Sequence, residues 1–90
     1  MQSLTYSLAR SLTPRGIRVN CVAPGPVWTP LIPATMPEEK VEGFGEQTPM
    51  GRPASADEIA PSHVFFAAPR LSSYYTGEVL APVGGETLPG

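Results

Sequence analysis

The stretch of sequence that decides the fold is Arg-Val-Asn-Cys-Val-Ala-Pro-Gly-Pro-Val-Trp-Thr-Pro, residues 18–30. Val19, Cys21 and Ala23 alternate with their neighbours in a run dominated by β-branched and small residues, which predicts a mostly buried strand. Pro24 has no N–H to donate and Gly25 has no Cβ, so the strand is expected to end there and to let backbone approach a flat ligand. In an open parallel sheet, ligands lie beyond the carboxyl ends of the strands. By itself, Pro-Gly after a strand is also typical of an ordinary loop.

The elements around this stretch follow from periodicity and punctuation. Leucines four residues apart predict a helix over residues 4–12 whose apolar stripe consists of leucines, with Ala9 beside them. We expect Pro14 and Gly16 to end this helix, and we expect an extended, proline-rich loop over residues 24–36.

Two capping-box spacings mark the next helices. Thr35 and Glu38 predict a short helix that begins near Pro37. Ser55 and Glu58 predict a longer helix that runs to about Ala68, with residues 59–68 as its most regular part. A last strand is predicted over residues 78–83, where Pro82 indicates an edge strand or a strand end. With the strand at residues 17–23, these elements make one βαβ crossover preceded by a helix.

Several short motifs lie along the chain in a fixed order. They are Arg18-Val19-Asn20-x-Val22-x-Pro24-Gly25-x-Val27-x-Thr29-Pro30, Met50-Gly51-Arg52-Pro53, Asp57-Glu58-Ile59-Ala60, Ser73-Tyr74-x-Thr76-Gly77-x-Val79-Leu80 and Gly84-Gly85. Together they resemble the C-terminal part of the short-chain dehydrogenases/reductases, in that family's order and spacing, over essentially the whole chain. No single motif is decisive, but the ordered series is highly specific.

The resemblance implies an α/β fold. Residues 1–90 would form a single partial domain, the C-terminal βαβ edge of a doubly wound, Rossmann-type parallel sheet, preceded by the end of the family's catalytic helix. The family's Gly-rich turn, catalytic serine and Tyr-x-x-x-Lys motif have no counterpart here, and the last would fall just upstream of Met1. The resemblance therefore assigns no catalytic residue to this chain, which we expect to be inactive and marginally stable by itself.

The resemblance also implies a cofactor, NAD or NADP, and the residues that contact it. Pro24 and Gly25 would lie against the nicotinamide ring, and Val27 would hold the carboxamide through its backbone groups. Thr29 would place its hydroxyl on the carboxamide or the pyrophosphate. Five residues would line the mobile substrate loop: Trp28, Leu31, Ile32, Met36 and Phe44. Their apolar character suits the carbon skeleton of a small alcohol or carbonyl substrate, and the loop resembles the family branch near glucose and ribitol dehydrogenases.

Two local patterns have competing interpretations. Tyr6 and Arg10 have a Tyr-x-x-x-basic spacing, but Tyr6 lies too close to the strand for the family's catalytic tyrosine, and arginine is a poor substitute for a compact lysine charge. A helix surface or a subunit contact is the preferred interpretation. Residues 30–33, Pro-Leu-Ile-Pro, are compatible with a polyproline ligand, although the apolar pair between the prolines suits a pocket wall better.

Isolated reactive residues give weaker indications. Cys21 lies in mid-strand, which favours a small buried apolar side chain over a reactive thiol. His63 has no further ligands at metal-binding spacing, so helix packing or a subunit contact is expected, and no metal site is predicted. Glu38 and Glu39 are adjacent on a helix and diverge, which favours capping and solvation over acid/base catalysis.

Composition excludes several classes of protein. The net charge of −2 and the loose cluster of Arg10, Arg15 and Arg18 give no nucleic-acid footprint. No apolar run approaches a membrane span, and the N-terminus lacks the regions of a signal peptide. The single cysteine cannot form an internal disulfide. We therefore expect a cytoplasmic location, with neither nucleic acid nor membrane as a partner.

Three functions remain open from the sequence. The chain is part of an NAD(P)-dependent oxidoreductase without independent catalysis, or a non-catalytic remnant that acts as an interaction or oligomerisation module, or a minimal active enzyme. The family's assemblies use the first helix, the long second helix and the last strand as subunit contacts. A homo-oligomer, or association with full-length relatives, is therefore expected.

Overall fold

The computed structural model describes residues 2–86. Met1 and residues 87–90, which the predicted single domain includes, lie outside the described residues. The elements in chain order are α1 (Gln2–Leu12), a 3₁₀ turn (Thr13–Arg15), β1 (Cys21–Val22), α2 (Leu31–Thr35), α3 (Glu38–Glu42), α4 (Ala56–Ala67), α5 (Pro69–Ser72) and β2 (Val79–Leu80).

The two strands form a parallel pair, as predicted. Cys21 lies opposite Val79, and Val22 lies opposite Leu80. The connection between the strands carries the three helices α2, α3 and α4 and the short α5. This is the α/β arrangement with a parallel crossover that the sequence predicted.

The regular β pairing covers only Cys21–Val22 and Val79–Leu80, which is shorter than the predicted strands. Backbone hydrogen bonds between the two segments nevertheless continue beyond these residues. Ala23 donates its N–H to the carbonyl of Leu80 at 2.9 Å, and Gly25 donates to that of Pro82 at 3.1 Å. The next bond of a parallel ladder would run from the N–H of residue 82 to the carbonyl of Ala23. Pro82 has no N–H, so the ladder stops at Leu80.

Helix α1 forms where predicted and ends at Leu12. The 3₁₀ turn that follows it is capped by Gly16, which adopts a left-handed φ of 74°. The predicted buried face is wrong, however. Leu4 and Leu8 are exposed, whereas Thr5 and Ala9 are buried. This face lies against the turn at Gly77, where an added Cβ would come within 3.5 Å of the Cβ of Ala9.

The predicted extended loop over residues 24–36 is also corrected. Its second half forms the short helix α2, with Pro30 at the N-cap and Pro33 inside the first turn. The first N–H groups of a helix have no intrahelical partner, so proline costs little there. The Thr35 hydroxyl donates to the carbonyl of Leu31 at 2.6 Å. It therefore does not cap α3, whose N-cap is Pro37, and the first predicted capping box is wrong.

The second predicted capping box is confirmed at α4. The Ser55 N–H donates to Glu58 Oε1 at 2.9 Å. The helix continues through Pro61 and ends at Ala67. Pro69 then occupies the first turn of α5, an element that the sequence analysis did not predict.

Very little apolar surface is buried. Among residues 2–86, the buried apolar side chains are those of Ala9 and Ile59. Large exposed apolar side chains include Leu4, Leu8, Trp28, Leu31, Met50, Val64, Leu71, Tyr74 and Leu80. Burial of apolar surface is the main favourable term in folding, so this distribution predicts low stability for the chain by itself.

No helix in the described part of the chain combines the length and apolar character needed to cross a membrane. Within the same residues, histidine, cysteine and acidic side chains form no group of three that could hold a metal ion.

Candidate functional site

The candidate site is the turn that follows β1, residues 24–29. Gly25 donates its N–H to the carbonyl of Pro82 at 3.1 Å, which holds the turn against the segment after β2. An added Cβ at Gly25 would lie 3.1 Å from the Cα of Val83 and 3.4 Å from its oxygen. A side chain at this position would require Val83 to shift by a few tenths of an ångström, so the close approach favours glycine. The predicted approach of a ligand to Gly25 stays a prediction.

Val27 forms an isolated parallel bridge with Ala54, the residue before the N-cap of α4. The carbonyl of Pro26 accepts from the Ala54 N–H at 2.9 Å, and the Trp28 N–H donates to the Ala54 carbonyl at 2.8 Å. In a parallel pairing, the central residue directs its own N–H and C=O to the opposite side. Within residues 2–86, no hydrogen bond involves the N–H or C=O of Val27.

Thr29 adds a polar side chain to the same turn. Its carbonyl accepts from the Ile32 N–H at 3.0 Å, which starts α2. Its hydroxyl makes no hydrogen bond to any other described residue. The turn therefore carries a backbone donor, a backbone acceptor and a hydroxyl that are not used by the described fold. Such a set can bind a planar ligand that bears both a carbonyl and an amine.

The structure brings part of the predicted substrate loop together. The rings of Trp28 and Phe44 pack with centroids 6.2 Å apart and planes inclined at 57°. Met36 and Phe44 line an open cavity of about 550 Å³ beside Pro26. Ile32 is half-buried. Leu31 is 67% exposed and does not line this cavity.

The cavity also has polar walls that the sequence analysis did not assign to it. Glu39 and Lys40 of α3 line it together with Gln47 and Glu86. Glu39 was predicted to be a capping and solvated residue, and it is exposed in α3. No periodicity or motif links these four residues, because they come together only through the path of the chain after α3.

Arg18 is the residue whose importance the sequence analysis most underestimated. Its guanidinium donates to the carbonyls of Ser72 at 2.8 Å, Tyr75 at 3.2 Å and Phe66 at 2.9 Å. It also lies 3.2 Å from the hydroxyl of Ser72, which is fully buried. The predicted loose surface cluster is therefore wrong for Arg18, which joins the start of β1 to the end of α4 and to α5.

The other residues singled out from the sequence are peripheral to the turn. Tyr6 is exposed, and its hydroxyl accepts from Arg10 at 3.3 Å while the guanidinium lies 5.7 Å from the ring centroid. Cys21 is half-buried rather than buried, and it borders an open cavity together with Arg18 and His63. His63 is exposed on α4, which does not support the helix-packing alternative, and the subunit contact stays a prediction.

Comparison with known proteins places the chain in a family. A family model described as Enoyl-(Acyl carrier protein) reductase matches residues 1–87. The chain is 60% identical over 83 residues to glucose and ribitol dehydrogenase homolog 2 of Arabidopsis thaliana, an alignment that covers 92% of the chain and 29% of the relative. It is 55% identical over 86 residues to the chloroplastic NADPH-dependent aldehyde reductase 1 of Arabidopsis thaliana, which covers 96% and 30%. The chain thus spans about three tenths of the length of these curated relatives.

Solved structures agree with this assignment. A 3-oxoacyl-[acyl-carrier protein] reductase from Brucella melitensis superposes with a TM-score of 0.78 at 34% identity, over 93% of this chain and 31% of that protein. A second reductase of the same description and organism, with bound NAD, superposes with a TM-score of 0.75 at 34% identity, over 93% and 29%. The sequence motifs, the parallel βαβ fold and these matches lead to one conclusion: the chain belongs to the short-chain dehydrogenase/reductase family.

Proposed function

We propose that this chain supplies the nicotinamide-side wall and the substrate loop of an NAD(P)-dependent oxidoreductase that acts on a small alcohol or carbonyl compound. The chain itself carries no assigned catalytic residue. In this proposal, residues 1–90 are a partial domain, and the groups that bind the pyrophosphate and transfer the proton are supplied by other parts of the enzyme.

The observation that carries the proposal is the pair of backbone groups at Val27. A carboxamide offers one carbonyl acceptor and one amine donor, and Val27 offers an N–H and a C=O on the side of the turn opposite Ala54. The residues present therefore fit the nicotinamide carboxamide. The Thr29 hydroxyl, which has no partner among the described residues, is a third group available to the carboxamide or the pyrophosphate.

In this proposal the turn at residues 24–29 orients the nicotinamide ring and takes no part in the chemical step itself. When bound, a nicotinamide would donate a hydride to a carbonyl carbon in its reduced form, or accept one from an alcohol carbon in its oxidised form. Pro24 and Gly25 present a backbone surface with little side chain, against which a planar ring can lie. Gly25 is held by its bond to Pro82, so this surface is fixed before a ligand arrives. Orientation of the reacting groups is what these residues contribute to the rate.

The substrate class is proposed from the loop and the relatives together. Trp28, Met36 and Phe44 form an apolar side, and Lys40 and Gln47 add polar groups at the cavity. The names of two relatives describe an aldehyde reductase and a homolog of glucose and ribitol dehydrogenase. A small carbonyl or alcohol compound with further polar groups is compatible with both features.

A second candidate function is association with another chain. Val64, Leu71 and Tyr74 are exposed on α4, α5 and the following turn, and Tyr74 is 99% exposed. Phe65 and Tyr75 pack edge to face beside them, with ring centroids 5.1 Å apart. An apolar surface of this kind favours assembly with a second copy or with a full-length relative. Sedimentation velocity of the purified chain would test this function separately from cofactor binding.

Two proteins test the proposed function. The first is the 90-residue chain. The second, called the hybrid below, is the Arabidopsis NADPH-dependent aldehyde reductase 1 in which this chain replaces the matching segment. We expect the hybrid to bind NADPH and to reduce aldehydes. We expect the isolated chain to bind neither dinucleotide more tightly than millimolar, about 4 kcal/mol, because the helix terminus that anchors a pyrophosphate is missing. Titration calorimetry that shows micromolar binding to the isolated, monodisperse chain would overturn the proposal.

A further inference from the structure

Residues 45–54 form a compact loop between α3 and α4 that we call the brace. Its last residue, Ala54, makes both hydrogen bonds of the bridge to the candidate site, at 2.9 Å to Pro26 and 2.8 Å to Trp28. These two bonds determine the direction of the N–H and C=O of Val27, which lies between them. Whatever fixes Ala54 therefore fixes the groups proposed to bind the cofactor.

A buried hydroxyl organises the interior of the brace. Thr48 is 6% exposed, and its Oγ1 lies 3.0 Å from the carbonyl of Gly45 and 3.2 Å from that of Arg52. The same oxygen accepts from the N–H of Gly51 at 3.2 Å. One side chain thus connects both ends of the brace, and no described group other than this hydroxyl joins these three positions.

The two ends of the brace also touch directly. A Cβ added at Gly45 would lie 2.5 Å from the backbone nitrogen of Pro53 and 2.7 Å from its Cα. Gly45 has a φ of 83°, a conformation that other residues rarely adopt. Pro53 precedes Ala54, so any side chain at position 45 would push on the residue next to the bridge.

An ion pair holds the exit of the brace. Arg52 donates to both carboxylate oxygens of Glu58, at 2.8 Å and 2.9 Å. Glu58 also accepts from the Ser55 N–H at 2.9 Å. Ala54 therefore lies between two residues, Arg52 and Ser55, that are tied to the same carboxylate in the first turn of α4. A bidentate arginine–carboxylate contact of this kind restricts the relative orientation of the two side chains more than a single hydrogen bond does.

We propose that the brace is a positioning element for cofactor binding: it holds Ala54 so that the N–H and C=O of Val27 point at the carboxamide. This inference rests on the proposed function, in which Val27 contacts the cofactor. Thr48, Arg52 and Glu58 do not line the proposed substrate cavity, whereas Gly45 borders it. In this proposal all four residues affect cofactor binding from outside the contact with the carboxamide. They act through Ala54.

The first test compares two glycines of the brace in the hybrid. Gly45→Ala and Gly51→Ala both place a side chain at a positive φ, of 83° and 76°. An added Cβ at Gly51 meets nothing within 4 Å, whereas at Gly45 it collides with Pro53. We expect Gly45→Ala to raise the dissociation constant for NADPH about tenfold, the equivalent of one lost hydrogen bond, and Gly51→Ala to change it less than about twofold.

A second pair of variants keeps the test informative if Gly45→Ala does not fold. Thr48→Val removes the buried hydroxyl with little change in shape, and Thr48→Ser retains it. We expect Thr48→Val to weaken NADPH binding about tenfold and Thr48→Ser to restore most of it. The dissociation constants are measured by fluorescence titration at a temperature where thermal unfolding shows every variant folded, so a purely structural effect would leave them unchanged.

The outcomes separate the two proposals. If Thr29→Ala weakens NADPH binding while Gly45→Ala and Thr48→Val leave it unchanged in folded protein, the brace proposal is wrong and the proposed function stands. If Thr29→Ala and both brace variants bind NADPH as the unmodified hybrid does, the assignment of this turn to the cofactor is wrong, and the brace proposal is overturned with it.

Discussion

The two ends of the β1–β2 pair are held in different ways. At the amino end, side chains of the segment before β1 supply most of the bonds to α4, to α5 and to the segment before β2. Arg18 donates to three carbonyls, Asn20 donates to the Tyr75 carbonyl at 3.1 Å and accepts from the Glu78 N–H at 3.1 Å, and the Val19 N–H donates to the Thr76 hydroxyl at 3.1 Å. The polar groups here satisfy one another.

At the carboxyl end, the contacts are made by backbone and by close approach. Gly25 bonds to Pro82 and packs on Val83, and Pro26 and Trp28 bond to Ala54. This leaves the backbone groups of Val27 and the hydroxyl of Thr29 without partners in the described fold. This contrast in hydrogen bonding supports the proposal that the two ends have different roles. The amino end would fix the register of the strands, and the carboxyl end would present polar groups to a ligand.

Arg18→Ala should give the largest effect, and on stability. The change leaves the buried Ser72 and two further carbonyls without their charged donor, so we expect the hybrid to lose about 3 kcal/mol of unfolding free energy. Arg18→Lys should recover only part of this, since a single ammonium cannot reach the same set of acceptors. Urea denaturation measures both. If Arg18→Ala left the urea midpoint unchanged but bound NADPH much more weakly, the amino end would have to be assigned to cofactor binding instead of stability.

Thr29→Ala should give the next largest effect, and on binding. Loss of one hydrogen bond to the cofactor should weaken NADPH binding or turnover by about 2 kcal/mol, with little change in the urea midpoint.

Glu38→Ala is the matched control for Thr29→Ala. Its side chain is exposed in the first turn of α3 and does not line the cavity beside Pro26, whereas Glu39 does. Glu38→Ala should change turnover little. Equal losses in Thr29→Ala and Glu38→Ala would contradict the role assigned to Thr29.

Asn20→Ala should have a smaller effect than Arg18→Ala or Thr29→Ala. It removes two hydrogen bonds of a half-buried side chain at the amino end. We expect a loss of about 1 kcal/mol in urea denaturation, because each such bond contributes little net stability. The NADPH dissociation constant should stay as in the unmodified hybrid. A stronger effect on NADPH than on stability would show that the amino end is coupled to the site.

Local features of the fold were predictable from sequence. The Ser55 and Glu58 cap lies within four consecutive residues, and the turn at Pro24 and Gly25 depends on two. Propensity and spacing determine such features, and the structure agrees with both. Where one side chain can form either of two local hydrogen bonds, the sequence does not show which of them it forms. The Thr35 hydroxyl has one acceptor inside α2 and a possible role as a cap of α3, and it takes the first.

The parallel pairing of the distant strands was predicted, but individual side-chain contacts between distant residues could not be. The partners of Arg18 lie 48 to 57 residues further along the chain. The buried Ala9 of α1 faces Gly77, and the orientation of Val27 is set by Ala54. Family resemblance named Val27 and Thr29, but only the structure shows that their polar groups are unused by the described fold. It also shows a close contact between Gly25 and the backbone of Val83 that favours glycine at position 25.

The smallest expected effect concerns acidity and the ion pair that holds the carboxyl end. The hydrogen bonds from Arg52 and then from the Ser55 N–H lower the pKa of Glu58 from 4.5 to about 2. Since the folded pKa lies below the unfolded one, the folded state binds fewer protons in this range, and the contribution of Glu58 is present above pH 4.5 and lost as the pH falls towards 2. The pair is half exposed, so the effect is small.

The test is urea denaturation of the hybrid between pH 6 and about pH 2.5. Glu58→Gln should reduce the fall in stability on acidification. The control Glu42→Gln removes a carboxylate that has no partner among the described residues, so it should not change that fall. Identical pH profiles for the hybrid and Glu58→Gln would show that neither the Arg52 contact nor the Ser55 N–H keeps the pKa of Glu58 low in solution.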